Sequence, residues 1–175
     1  MKNIILMGMK GCGKSTVGRL LAKKLNTDFL DSDNVMEKLH AQKKKTVMSV
    51  RDIFKKYGKT YFDRLEYETF LKLQKSNLNN FILSCGGKTP LNPLNRIILK
   101  KIGVIIFLNT AKNVLLGRII KDGIPATFPY QNDPEKSLAE ILNERLPIYQ
   151  KLADHTLSLK LETPNEIVNK IIKLI

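Results

Sequence analysis

The sequence predicts an α/β fold of three layers, a five-stranded parallel sheet flanked on both faces by helices. Three observations carry this. Apolar or β-favouring runs at residues 3–7, 27–30, 80–84, 103–108 and 155–159 alternate with longer helical patterns. Several runs, Ile4-Ile5-Leu6-Met7 among them, are apolar throughout, as strands buried on both faces are. A glycine-rich segment also joins the first run to the first helical pattern, at the carboxyl end of a strand, where such sheets collect ligands. No internal repeat or low-complexity linker is visible, so a single domain over residues 1–175 is expected.

Behind the first strand, Gly8-Met9-Lys10-Gly11-Cys12-Gly13-Lys14-Ser15 fits G-x-x-x-x-G-K-[ST] in full. The glycines let the backbone wrap an anion where a Cβ would block the required conformations. N–H groups across Gly11, Cys12, Gly13, Lys14, Ser15 and Thr16 can then point at phosphates, aided by the dipole of the helix expected over residues 14–25. Lys14 can reach the β- and γ-phosphates, and Ser15 can offer its hydroxyl to Mg²⁺. The loop is therefore expected to bind a nucleoside triphosphate. Cys12 lies inside it, so thiol modification there is expected to block nucleotide binding.

The second strand, 27–30, runs into Asp31-Ser32-Asp33 and a helix over 33–41; helices at 49–56 and 59–76 follow. The third strand, 80–84, runs into Cys85-Gly86-Gly87, then a helix over 91–101. Both strand ends should share a cleft with the phosphate loop. One of the two aspartates can cap the following helix, while the other works near Mg²⁺ or against a substrate hydroxyl. After the fourth strand, 103–108, and a helix over 111–121, three prolines and a glycine fall within residues 122–134. That stretch reads as a mobile lid, about residues 121–134, or as a solvated connector. A helix over 135–152, the fifth strand at 155–159 and a helix over 164–174 complete the chain.

With 43% hydrophobic and 26% charged residues, the chain has a globular composition, and no apolar run approaches membrane-spanning length. The first strand begins at once, so no cleavable signal is expected, and two distant cysteines favour free thiols in a reducing cytoplasm. The net charge of +14 is scattered over many segments; only the stretch from Lys55 to Phe62 interleaves lysines with aromatics. No specific nucleic-acid binding is expected, although the charge should help to collect anionic substrates.

Together, the phosphate loop, Asp31-x-Asp33, Gly86-Gly87 and Asn143-Glu144-Arg145-Leu146-Pro147-Ile148-Tyr149 resemble shikimate kinase, in that family's order and spacing. Ile53, Phe54, Gly58, Phe62 and Glu66 fit its substrate-helix region. The resemblance implies a P-loop, nucleoside-monophosphate-kinase-like fold in a monomer, with substrate-binding helices at about 33–76. It also implies transfer of the ATP γ-phosphate to the 3-hydroxyl of shikimate. By the same resemblance, Lys14 clamps phosphates, Ser15 ligates Mg²⁺ and Asp31 holds a magnesium-bound water. Asp33 binds substrate hydroxyls and is the candidate base, Gly86 and Gly87 approach the substrate through backbone N–H groups, Arg145 pairs with its carboxylate, and Arg118 lies against adenine. An ordinary surface role for Arg145 fits poorly, since Leu142 and Ile141, three and four positions back, offer no carboxylate.

Three positions depart from the family. Asp63 stands where its F-R-x-x-E motif has an arginine, in Phe62-Asp63-Arg64-Leu65-Glu66. Ile124 precedes the lid proline, Pro125, where the family has an arginine, and Lys88 replaces a third glycine. Lys88, Lys121 and Arg64 are the candidate replacements. Two other readings therefore stand beside shikimate kinase: a kinase for another small polyol or an amine, motivated by Asp63, and a catalytically weak ATP-binding protein, motivated by Ile124. The absence of N-K-x-D, and of D-x-x-G after the third strand, argues against a signalling GTPase.

Overall fold

A computed structural model describes residues 2–76, 78–125 and 127–175. Strands β1 (Asn3–Met7), β2 (Asp28–Asp31), β3 (Phe81–Ser84), β4 (Gly103–Thr110) and β5 (His155–Leu159) form one sheet in the order β2-β3-β1-β4-β5. All neighbours are parallel. The order reverses beside β1, so the crevice at its carboxyl end is a topological switch point. Register brings three strand ends level there: Leu6 pairs with Ser84, and Ser84 with Asp31.

The helices are α1 (Lys14–Leu25), α2 (Ser32–Lys44), α3 (Val50–Lys75), α4 (Pro93–Ile102), α5 (Lys112–Asp122), α6 (Pro134–Leu152) and α7 (Pro164–Ile172). Their ends follow local chemistry. Asn26 ends α1 in the left-handed conformation, and Thr163 and Glu166 form a reciprocal capping box on α7. The helix expected from residue 91 begins at Pro93. Thr89–Leu91 forms a 3₁₀ turn, the Asn92 side chain accepts from Leu94 N–H at 2.9 Å, and Pro93 takes the first helical position. The two helices expected at 49–56 and 59–76 join as α3, kinked at Gly58 (φ 75°, ψ −179°). A left-handed φ of that kind suits glycine. Further shifts are small: α2 runs on to Lys44, β4 to Thr110, and α7 stops at Ile172.

The main core lies around β1, β3 and β4, with Phe70, Phe81, Phe107 and Tyr149 among its largest fully buried side chains. Burying each such ring contributes roughly 1.5–3 kcal/mol. A separate, smaller cluster of Met36, Ile53 and Leu65 ties α2 to α3. The stretch expected to form the lid is anchored in its second half. Phe128 is buried in the main core, Gln131 Nε2 donates to Pro125 O and Phe128 O (3.1 and 2.8 Å), and Tyr130 N–H donates to Ser137 Oγ at 2.9 Å. Among the described residues, no helix is long and apolar enough to cross a membrane.

Candidate active site

The site grows out of the loop between β1 and α1. Gly8 has φ 154°, and a Cβ there would lie 2.8 Å from Cys12 Sγ and 2.9 Å from Leu108 O, so only glycine fits. Cys12 N–H closes a turn onto Met9 O at 3.2 Å, with Lys10 and Gly11 at its corner. Gly11, at φ 82°, supplies the positive angle such a turn requires. Arg118 Nη1 donates to Gly11 O at 2.9 Å, so α5 braces the loop tip. Lys14 Nζ donates to Gly8 O (3.0 Å) and Met9 O (2.9 Å) and lies 3.6 Å from Cys12 Sγ. Cys12 is 1% exposed, so burial limits the access of reagents to its thiol.

The aspartates divide their work. Asp31 is the cap, its Oδ1 accepting from Asp33 N–H at 3.1 Å, and its Oδ2 accepts from Ser15 Oγ at 2.9 Å. Ser84 Oγ lies 3.3 Å from the same hydroxyl. Asp33 therefore keeps its carboxylate for the cleft. Burial raises its pKa above the ordinary carboxylate value; Asp31 and Glu37 add to this, and Lys14 opposes it.

Gly86 lies between Asp33 and Glu66: a Cβ on it would be 3.6 Å from Asp33 Oδ1 and 3.9 Å from Glu66 Oε1. Its N–H donates to Ser32 Oγ at 3.0 Å. The expectation that both glycine N–H groups face the substrate is thus corrected, because that of Gly86 already has a partner. Glu66 accepts from Thr89 Oγ1 at 2.7 Å and Asn95 Nδ2 at 2.8 Å. Burial raises the Glu66 pKa against those two hydrogen bonds, with Asp33 and Asp63 raising it further.

Arg145, on α6, is only 9% exposed. Its Nη1 donates weakly to Met9 Sδ at 3.9 Å, its Nε has no partner, and no described carboxylate forms an ion pair with it. A Cβ on Gly87 would be 3.8 Å from Arg145 Nη1 and 3.5 Å from Lys10 N, so the arginine faces the phosphate loop across Gly87. Tyr149, one turn further along α6, donates its hydroxyl to Gly87 O and lies 3.7 Å from Met9 Sδ. Burial pushes the Tyr149 pKa up to about 12, with Arg145 pulling the other way, so it stays a donor at neutral pH.

A cleft of about 630 Å³ runs along the loop, bordered by Lys10 to Val17, Asp31, Asp33, Ser84 to Gly87 and Arg118; Glu66, Arg145 and Tyr149 do not border it, and Arg145 approaches it only across Gly87. Thr16 borders it from the first turn of α1, as do Asp122, Glu162, Pro164 and Ile167 from elsewhere in the fold. Sequence reasoning gave no place to Glu162, Pro164, Ser84, Thr89 and Asn95; it had Met9, Ser32 and Tyr149 only as members of motifs and Asp122 only in the expected lid. Ser84 was legible as a polar residue ending an apolar strand; Glu162, Pro164, Thr89 and Asn95 had no local signal. The three candidate replacement cations stay outside the cleft. Arg64 is ion-paired to Glu68 at 3.1 Å on the exposed side of α3, and Lys88 and Lys121 are exposed and border no part of it. Asp63 pairs with Lys59.

Comparison with known proteins sharpens the site's meaning. A sequence profile of the family "Shikimate kinase" matches residues 10–175. A shikimate kinase of Caldanaerobacter subterraneus is 39% identical over 173 residues, covering 99% of this chain and 95% of that protein. One from Thermodesulfovibrio yellowstonii is 38% identical, covering 99% and 94%. Among solved structures, a shikimate kinase from Acinetobacter baumannii in complex with shikimate superposes with TM-score 0.86 at 31% identity, covering 99% of this chain and 92% of that one.

Proposed function

The chain belongs to the shikimate kinase family, and from that premise we propose that it transfers the γ-phosphate of ATP to the 3-hydroxyl of shikimate. The observation that carries the acceptor is Arg145, a buried guanidinium without a carboxylate partner, facing the phosphate loop across Gly87. An unpaired buried cation is costly to keep. A planar carboxylate taking two of its N–H donors offsets that cost and sets the ring's orientation.

Lys14 holds the β- and γ-phosphates together with the N–H groups from Gly11 to Thr16, and Arg118 lies against the base. Asp33 accepts the 3-hydroxyl proton as oxygen attacks phosphorus in line; its raised pKa makes it a stronger base than an ordinary carboxylate. Gly87 offers a backbone N–H without a side chain in the way. The residues at the loop's end fit Mg²⁺: the Ser15 hydroxyl and the Asp31 carboxylate are hard oxygen donors 2.9 Å apart beside the phosphate loop. When bound there, the ion neutralises charge between the β- and γ-phosphates. Substrate helices α2 and α3 and a lid at about residues 121–134 belong to one catalytic domain in a cytoplasmic monomer.

The test is ADP release with Mg-ATP, with and without shikimate, and mass spectrometry of the product. Shikimate-dependent turnover to a monophosphorylated product is expected. No turnover by protein that still binds ATP would overturn the assignment.

A further inference from the structure

Phosphoryl transfer spreads negative charge over the oxygens of the moving group, and kinases and GTPases commonly meet it with a mobile cation. This chain has no Lys or Arg from Gly123 to Pro134, and Ile124 stands before the lid proline. The neighbouring cations are engaged or remote. Lys136 stacks on the Tyr130 ring with its Nζ 4.1 Å from the centroid, and Lys121, Lys88 and Arg64 border no part of the cleft. Pro125 O and Phe128 O accept from Gln131 Nε2, and Phe128 is buried, so the second half of the segment is packed against the fold.

Three cations do border the cleft: Lys10, Lys14 and Arg118. Lys14 and Arg118 both donate to loop carbonyls. Lys10 is exposed and its side chain has no hydrogen bond or ion pair among the described residues. It sits at the corner of the turn closed by Cys12 N–H and Met9 O, where a side chain projects away from the backbone. Its own backbone N lies 3.5 Å from the point where a Gly87 Cβ would stand. The Lys10 backbone therefore stands at the seam between the phosphate loop and the glycine pair, where on the kinase reading a γ-phosphate meets an acceptor hydroxyl.

We propose that Lys10 is a catalytic residue of this chain, its ammonium closing on the γ-phosphoryl oxygens during transfer in place of a lid cation. The proposal rests on the kinase reading above. A flexible lysine suits the role: a rotatable point charge follows the phosphorus as the bond to ADP breaks and the bond to the acceptor oxygen forms. The interaction grows with the charge on the moving group, so it acts on kcat more than on ground-state binding.

The experiment compares wild type with Lys10→Met, Lys10→Arg and the double variant Lys10→Met/Ile124→Arg. Melting curves serve as a check on folding, and an exposed residue at a turn should leave them unchanged. For Lys10→Met, kcat is expected to fall by about 100-fold while shikimate KM stays within about twofold. Lys10→Arg should keep most of the rate, and Ile124→Arg should return part of what Lys10→Met loses. Binding of ADP with aluminium fluoride, a mimic of the moving phosphoryl group, should weaken in Lys10→Met while ADP alone binds as before. An unchanged kcat, or a rise in shikimate KM with kcat preserved, would overturn the proposal; the second result would make Lys10 a carboxylate contact. If wild type itself ignored shikimate, the kinase reading would fall, and the aluminium fluoride comparison would still decide the lysine.

Discussion

The proposed nucleotide side and the proposed acceptor side of this site are built in different ways. On the nucleotide side, residues from Gly8 to Ser15 supply the loop, its glycines and its cation in one short run, braced from outside by Arg118 at Gly11 and by Asp31 and Ser84 at Ser15. On the acceptor side, Asp33, Glu66, Gly87 and Arg145 come from four separate elements, and Thr89, Asn95, Tyr149 and Met9 hold the latter three in place. All three departures from the family fall on that second side or on the lid. A site made from one stretch of backbone is hard to alter piecemeal. One assembled from scattered side chains can lose a member, as at Asp63, and keep its frame.

Mutations should divide along the same line. The largest loss is expected on the nucleotide side: Lys14→Met should lower kcat about 10³-fold or more, read in a coupled ADP assay. Next comes Arg145→Lys, for which shikimate KM should rise about 10- to 100-fold with the ATP dissociation constant unchanged, because an ammonium cannot make the two-pronged contact. A matching change in ATP affinity would break the division. Glu66→Ala should act on stability, costing about 1–3 kcal/mol in denaturant unfolding, since the Thr89 hydroxyl and the Asn95 amide lose their acceptor in a buried place.

A smaller effect separates the two sides by pH. A base must be deprotonated to act, and the Asp33 pKa is raised, so the acid limb of kcat/KM should lie above the ordinary carboxylate value. The rate should fall as pH drops through that limb, and Asp33→Asn should remove the limb along with most of the rate. ATP binding measured over the same range should be flat. Smallest of all, Asp63→Arg breaks only a half-exposed pair with Lys59, so stability should move by less than about 0.5 kcal/mol. It should nonetheless lower shikimate KM severalfold, and an unchanged KM would mean that position 63 lies out of reach of the acceptor.

The candidate replacements for the missing arginines show what was legible. Arg64 stands four residues before Glu68, and Lys59 four before Asp63, spacings that pair charges along one helix face. That spacing is visible in the sequence, but the pairs themselves appear only in the structure. Lys10 was in plain view too, but only the turn at Met9 to Cys12 and its closeness to Gly87 mark it, among the described residues, as a cation of the cleft without a partner.

By itself, the sequence determined the strands, their parallel arrangement, the phosphate loop and the Asp31–Asp33 turn. Apolar periodicity and glycine or cap chemistry act over a few residues, so local order is enough to express them. Tertiary structure decided which of the two aspartates caps α2, that the Gly86 N–H belongs to Ser32, and that Glu66 rests on Thr89 and Asn95. It also set the unpaired Arg145 against Gly87. Those pairings join residues up to 136 apart, as between Met9 and Arg145, and only close packing of the core fixes which polar atoms meet.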